Sequence, residues 1–397
     1  MKAAAVELVF IPSPGMGHLV STVEMAKQLV GRDHRLSITF LIIKRPFDKS
    51  KVSSSTQSLL LAAAEDRLKF VYLPLDEAVA ADLQSKFPDH NFILEFIKTN
   101  KQNVRDHVAK MVSTGSTQIA AFVIDMACTP MMDVAVEFGV PSYVFFTSNA
   151  TVLGLFFHLE SLSPDEYHDL TELKDSDAEL ELPGFVNRVP VKVLPASFRD
   201  KEFGSRFMGI AKRFREAKGI MVNTFEELES NAVRFLAEND KVPPVYPVGP
   251  VIHLVNNKNE EDEDATEIVK WLDNQPLSSV VFLCFGSMGS FGGDQLKEIA
   301  QALERSGHRF LWSVRRPPSK LDYKKDIYMS ESSNVMLVTA EEIENGIRKL
   351  MESENECGKE RKQRVKEMCE KSKVSVVEGG SSYNSIGLLI EDFMKTT

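Results

Sequence analysis

Through its first 250 residues the chain alternates short apolar runs, rich in β-branched residues, with longer stretches whose apolar residues recur at helical spacing. Runs such as IAAFVI (119–124) have no polar face, which marks strands covered on both sides, as in a parallel sheet. Strands are expected at 6–12, 37–43, 68–73, 119–125, 142–147, 219–223 and 245–248. Helices are expected between them at 19–31, 92–112, 131–138, 150–159, 205–218 and 225–239. This alternation predicts a doubly wound α/β domain, whose ligands bind beyond the carboxyl ends of the strands.

The prolines of 243–250 punctuate the chain, and the acidic stretch NNKNEEDEDATE (256–267) is the best linker candidate. A strand at 280–285, the turn GSMGSFGG, a helix at 294–306 and a strand at 309–314 then repeat the opening order of the first half. After Val314 the pattern fails. A polar stretch leads to a weak apolar run at 335–338, and Thr339-Ala340-Glu341-Glu342 reads as a capping box opening a helix at 341–351. A highly charged helix at 358–373 and an amphipathic one at 381–394 close the chain. Two good strands and one weak one fall short of the about five or six that a self-standing doubly wound sheet carries. We therefore expect domains at 1–250 and 251–397, the second incomplete and the final helix packing back on the first.

With 43% hydrophobic and 26% charged residues in 397, the chain can bury two real cores, which sets aside disorder, collagen-like repeats and coiled coils. Lys+Arg 47 against Asp+Glu 57 leaves a net charge of −10. Such a surface repels phosphate backbones and anionic lipid, so neither nucleic acid nor a membrane is the expected partner. The cysteines at 128, 284, 357 and 369 form no C-x-x-C, which fits a reducing compartment. The start MKAAAVELVFIPSPG is interrupted by Glu7 and flows into a Pro/Gly turn, as a buried first strand does and a signal peptide does not. No apolar stretch approaches the roughly 20 residues of a membrane span. A cytoplasmic location is expected.

The segment PSPGMGHL (12–19) joins the first strand to the first helix. Gly15 and Gly17 let a ligand approach the backbone, and His18 sits at the helix start. The dinucleotide fingerprint is not met: Val20 stands where its third glycine belongs, and Lys44-Arg45 where its acid belongs. His18 is either a capping or packing residue or a base. Asp125, closing IAAFVID at the same sheet edge, either caps the helix near 129–130 or orients His18. No G-x-S-x-G nucleophile is present, so a His–Asp pair would act on a hydroxyl of the substrate itself. In the second turn Ser287 is the expected polar contact for a phosphate compound; the other reading is a plain tight turn. No lysine follows in Walker A register. Asp262-Glu263-Asp264 has the D-x-D form of metal-dependent sugar transferases but lies in the acidic linker, and no histidine pair has metal-ligand spacing, so no metal is expected.

Taken together, FIPSPGMGHLVSTVEMAKQL, FVIDMACTPMMDVAVEFGVPSYVFFTSNA, LPGF, GIMVNTFEELE, VYPVGPV, WLDNQP, SVVFLCFGSMGSF, RFLWSVR, AEEIENGIRKLM and EGGSSYNSIGLLIEDF resemble the plant UDP-sugar-dependent glycosyltransferases that modify small molecules. The resemblance implies two facing Rossmann-like domains of the GT-B type, acceptor held mainly by the first and nucleotide sugar by the second. It implies His18 as general base, Asp125 as its orienting carboxylate, Thr147 near the donor's sugar and Ser287 as a nucleotide-sugar contact. The implied reaction belongs to plant secondary metabolism. A hydroxyl of a small metabolite, flavonoid or phenolic, displaces UDP from a UDP-sugar with inversion, glucose being the expected sugar, without metal or other cofactor.

The family also carries a donor-binding box that begins W-A-P-Q, contains H-C-G-W-N-S and ends in an acidic residue followed by Gln, and none of it stands here. The chain passes from RRPPSK directly to LDYKKD, so an internal deletion near 320/321 is expected, in the half that is short of strands. Trp271 and Trp312 lie upstream and do not replace the box's uracil-stacking tryptophan. The alternative function is a catalytically impaired acceptor- or partner-binding protein that keeps the first domain's pocket.

Overall fold

The computed structural model describes residues 6–44, 46, 63, 66–87, 91–114, 118–163, 166, 172, 176–194, 201–252, 263–286, 289–315, 337–352 and 356–395, with the backbone alone at 91, 201–207, 263–266 and 356–357. The chain divides into two compact units, one of Met1–Leu83, Phe92–His253 and Glu370–Thr397, the other of Gln84–Asn91 and Leu254–Cys369.

The first unit is built on a seven-stranded sheet. Its strands are β1 (Val6–Ile11), β2 (Leu36–Ile42), β3 (Leu68–Tyr72), β4 (Gln118–Asp125), β5 (Ser142–Phe146), β6 (Gly219–Val222) and β7 (Val245–Pro247). All seven expected strands form, every pairing is parallel, and the order is β3-β2-β1-β4-β5-β6-β7. Helices cover both faces, which is why β1, β5 and β6 are buried along their whole length. The one charge inside β1, Glu7, is satisfied by the hydroxyls of Ser37 at 2.5 Å and Thr39 at 2.6 Å on β2. Winding reverses between β1 and β4, so the crevice beyond their carboxyl ends is the topological switch point of the sheet.

Up to residue 250 the described helices are α1 (Met16–Arg32), α2 (Glu77–Lys86), α3 (Asn91–Thr99), α4 (Lys101–Ser113), α5 (Met132–Glu137), α6 (Ala150–Ser161), α7 (Lys201–Phe214) and α8 (Ser230–Glu238). The single helix expected at 92–112 is two. Asn100 takes the Phe96 carbonyl with its side-chain amide and the Ile97 carbonyl with its backbone N–H, which ends α3 before α4 begins. The helix expected from 225 starts only at Ser230, and the one expected from 131 follows a 3-10 turn, Met126–Met131, that contains Pro130. Helix α2 has a single buried residue, Ala80, and so no apolar stripe by which to be seen in sequence.

The second unit carries α9 (Glu263–Asp273), β8 (Val280–Cys284), α10 (Gly293–Ser306), β9 (Arg309–Ser313) and α11 (Ala340–Met351). The strands pair in parallel as a two-stranded sheet. Gly307, at φ 69°, closes α10 in the left-handed region that glycine adopts without cost. The capping box forms as expected: Thr339 Oγ1 accepts from Glu342 N, and Glu342 Oε2 accepts from Thr339 N. The run expected at 335–338 adds no strand over its described residues, Leu337 and Val338. The Gln295 side-chain amide binds both the N–H and the carbonyl of Val338, so that backbone is occupied by a side chain. The linker expected to reach residue 267 is helical from Glu263, where carboxylates suit a helix N-terminus. Among the described residues the core here is Ile299, Leu303 and Ile347, with Val281, Leu283, Phe291, Trp312, Ile343 and Met351 packed around them.

Helix α12 (Glu356–Ser375) leads to α13 (Ser381–Met394). Ile386, Leu389, Ile390 and Phe393 of α13 join the core of the first unit beside Leu8, Val123, Tyr143 and Val248. Tyr143 and Phe393 meet edge to face at 4.7 Å, and the Tyr143 hydroxyl donates to Asp392 at 2.6 Å. Arg32 lies over the Tyr383 ring at 3.6 Å, and Ser382 donates to the Gly249 carbonyl. Among the described residues no helix is long and apolar enough to cross a membrane.

Candidate active site

Parallel pairing sets Ile11 of β1 beside Ile124 of β4. The segment that leaves β1 therefore emerges next to Asp125, the last residue of β4. Gly15 is the N-cap of α1 and offers no side chain, so the first turn is open to a ligand, and His18 stands in that turn. His18 Nδ1 lies 2.7 Å from Asp125 Oδ2. The Asp125 side chain is wholly buried, whereas 39% of the His18 side chain is exposed.

Asp125 makes a contact on each oxygen. Oδ1 accepts from Ala127 N at 3.2 Å and so caps the 3-10 turn after β4, while Oδ2 faces His18. In neutral His18 an N–H at Nδ1 donates to the carboxylate, which leaves Nε2 as the nitrogen with the lone pair. Burial pulls the His18 pKa down, but the hydrogen bond to Asp125 and its negative charge outweigh that and hold it above the ordinary 6.5.

Thr147 follows β5 and completes the cluster, with Oγ1 3.2 Å from His18 Nδ1. The start of α6 follows three residues on. Asn149 caps that helix by accepting from Val152 N, and Glu229 accepts from Ala150 N, Thr151 N and the Thr151 hydroxyl. The segments at the carboxyl ends of three consecutive strands, β1, β4 and β5, thus bring His18, Asp125 and Thr147 together at the switch point. Ser287 lies outside the described residues, as does Asp262; Glu263 and Asp264 belong to the first turn of α9. Sequence reasoning passed over Ser13, whose hydroxyl donates to Asp125 Oδ1 at 2.5 Å, and Cys128, whose Sγ lies 3.6 Å from Ser13 Oγ. Cys128 follows Asp125 in the 3-10 turn, whereas Ser13 comes beside the carboxylate only through the register of β1 on β4.

A His–carboxylate pair with a part-exposed imidazole, beyond a parallel sheet's carboxyl edge, has the geometry in which a histidine can take a proton from a bound hydroxyl. Solved structures place this fold among the GT-B UDP-glycosyltransferases. A transferase of Siraitia grosvenorii in complex with UDP matches with a TM-score of 0.82 and 36% identity, over 98% of this chain and 100% of that one. UGT71G1 of Medicago truncatula, complexed with UDP-glucose, matches with a TM-score of 0.79 and 31% identity, over 99% of this chain and 98% of that one. No family model matches the chain.

Among curated proteins, UDP-glycosyltransferase 71E1 of Stevia rebaudiana is 40% identical over 98% of this chain and 99% of its own length. UDP-glucose flavonoid 3-O-glucosyltransferase 6 of Fragaria ananassa is likewise 40% identical, over 98% and 99%. The chain belongs to the plant UDP-glycosyltransferases, a family of hexosyltransferases. The alignment with the Stevia protein spans 489 positions against the 397 residues here, so that relative carries sequence with no counterpart in this chain.

Proposed function

We propose that the first unit binds a small hydroxylated plant metabolite, flavonoid or phenolic, and that His18 takes the proton of its hydroxyl through Nε2. Asp125 holds the imidazole in the productive tautomer and balances the charge of the imidazolium that forms. The acceptor oxygen then bonds to the anomeric carbon of a UDP-sugar, glucose in our reading, as the bond from that carbon to the UDP oxygen breaks. UDP leaves with the electron pair and the anomeric configuration inverts, with no metal in the scheme. Thr147 is assigned to the donor's sugar and Ser287 to the nucleotide sugar. In this reading residues 1–250 form the acceptor domain, 251–397 the donor-side domain, and the protein works in the cytoplasm. The observation that carries it is the His18–Asp125 contact at the switch point of a sheet from this family.

The shorter length favours a second reading. We infer that the sequence without counterpart is the donor-binding box, lost near 320/321, and that the chain is then an acceptor- or partner-binding protein with a weakened donor side. Good polar contacts are worth on the order of 1–3 kcal/mol each, so losing several removes the roughly 5–6 kcal/mol of a tens-of-micromolar ligand. Calorimetry with UDP, UDP-glucose and a phenolic acceptor separates the two. Micromolar UDP binding with sugar transfer supports the transferase, and acceptor binding without UDP binding supports the second reading. Binding of neither ligand overturns both.

A further inference from the structure

Ser13 lies between Pro12 and Pro14 just after β1 and is 7% exposed. Its carbonyl accepts from Gly15 N at 2.8 Å, which ties the turn leading into α1. Its hydroxyl donates to Asp125 Oδ1 at 2.5 Å, and Cys128 Sγ packs on its other side at 3.6 Å. Burial, then the negative charge of Asp125, push the Cys128 thiol up, so it stays S–H and can donate to Ser13 Oγ. A run of donors therefore ends on Oδ1, from Cys128 through Ser13, while Oδ2 is left to His18.

We propose that Ser13 is a positioning residue of the dyad: by donating to Asp125 Oδ1 it fixes the carboxylate plane and draws charge away from Oδ2, and so sets the basicity of His18. The torsion that orients an aspartate carboxylate is broad and two-fold, so a fixed plane needs donors on both oxygens. Ala127 N, at 3.2 Å, supplies one on Oδ1 and Ser13, at 2.5 Å, the closer one. Without the hydroxyl, more negative charge faces His18 Nδ1 and the imidazolium is favoured, leaving less neutral base near pH 7. Among the described residues the titratable groups gathered here are His18, Asp125 and Cys128, with the Thr147 hydroxyl beside them.

The catalytic consequence rests on reading His18 as the base, and the test does not. The full chain, labelled with 15N-histidine, is titrated by NMR, with His18→Gln assigning the signal. Ser13→Ala, close to isosteric, should raise the His18 midpoint by about half a unit, a fraction of the 1–3 units that a full neighbouring charge commands. Ser13→Cys, a weaker donor, should give a smaller rise, and Cys128→Ala, which disturbs the same packing, little change. An unmoved midpoint in Ser13→Ala overturns the proposal, as does a shift of equal size in Cys128→Ala. His18→Ala that transfers sugar at the parent's rate would remove the base reading while leaving this coupling measurable.

Discussion

Thr147 Oγ1 stands 3.2 Å from His18 Nδ1, the same nitrogen that meets Asp125. The imidazole is gripped from the ends of two neighbouring strands, β4 and β5, through one ring nitrogen. The other nitrogen is the one available for chemistry.

Removing the imidazole should therefore remove transfer and little else. In a version of the chain carrying a relative's donor-binding box, His18→Ala should lower the rate by the 10²–10⁴-fold typical of a positioned base. Acceptor binding, read by calorimetry, should persist. Asp125→Ala should cost less than His18→Ala, because the base remains and loses its orientation and the charge that balances it. Near-parental turnover by His18→Ala would exclude it from the mechanism.

The raised pKa of His18 has two pH signatures. Burial lowers it, the Asp125 bond and charge raise it more, and the net is above 6.5. A base must be neutral, so the acid limb of kcat/KM should fall above pH 6.5 rather than at it. The folded state also holds this proton more tightly than the unfolded chain. Its stabilising contribution is full below about pH 6.5, the unfolded value, and is lost as pH rises through the folded one. Urea midpoints of the first unit should decline across that window in the parent, and His18→Gln should flatten the decline.

The docking of α13 should be costly to disturb. Phe393 is fully buried, and Phe393→Ala should destabilise the first unit by about 3–5 kcal/mol. Tyr143→Phe removes one hydrogen bond and leaves Asp392 near Lys218 and Tyr246, for about 0.5–1.5 kcal/mol. Asp392→Ala should cost more than Tyr143→Phe, since it strands the buried Tyr143 hydroxyl. Equal urea midpoints for the two would mean that this bond is not what holds the helix.

The second unit should open more readily than the first. Phe282 is 64% exposed and Phe310 44%, and an open groove beside them is lined by Glu267, Ile268, Trp271, Phe310 and Leu311. Apolar strand faces left bare in this way invite association. Amide hydrogen exchange should be slow in β4 and fast in β8 and β9. Equal protection in both sets would show that the second unit closes a full core.

Much of this was legible because β-branched runs and parallel burial coincide: IAAFVID reads as a covered strand and forms one. His18 and Asp125 were legible as neighbours for the same reason, Asp125 closing one strand and His18 standing in the helix start that follows the strand beside it. What escaped was set by contacts distant in sequence. Val338 looks like strand until the Gln295 amide binds its backbone, and Asn100 looks like mid-helix until its side chain takes the Phe96 carbonyl. Ser13 looks like turn chemistry between prolines, and only the pairing of β1 with β4 makes it a donor to a carboxylate 112 positions away.

Helix α13 is made after every strand of the sheet, yet its Phe393 packs among strands made first. A nascent chain tethered at residue 250 must hold the side of Tyr143 and Val248 uncovered until residues 381–394 have been added, a span in which chaperones would find it. The order of manufacture also separates two kinds of damage. A stop codon anywhere before residue 381 would strip the sheet around His18 of its final covering. An in-frame loss upstream of α13 still delivers that covering, so a gene could shed much of its second half and go on producing a closed first unit.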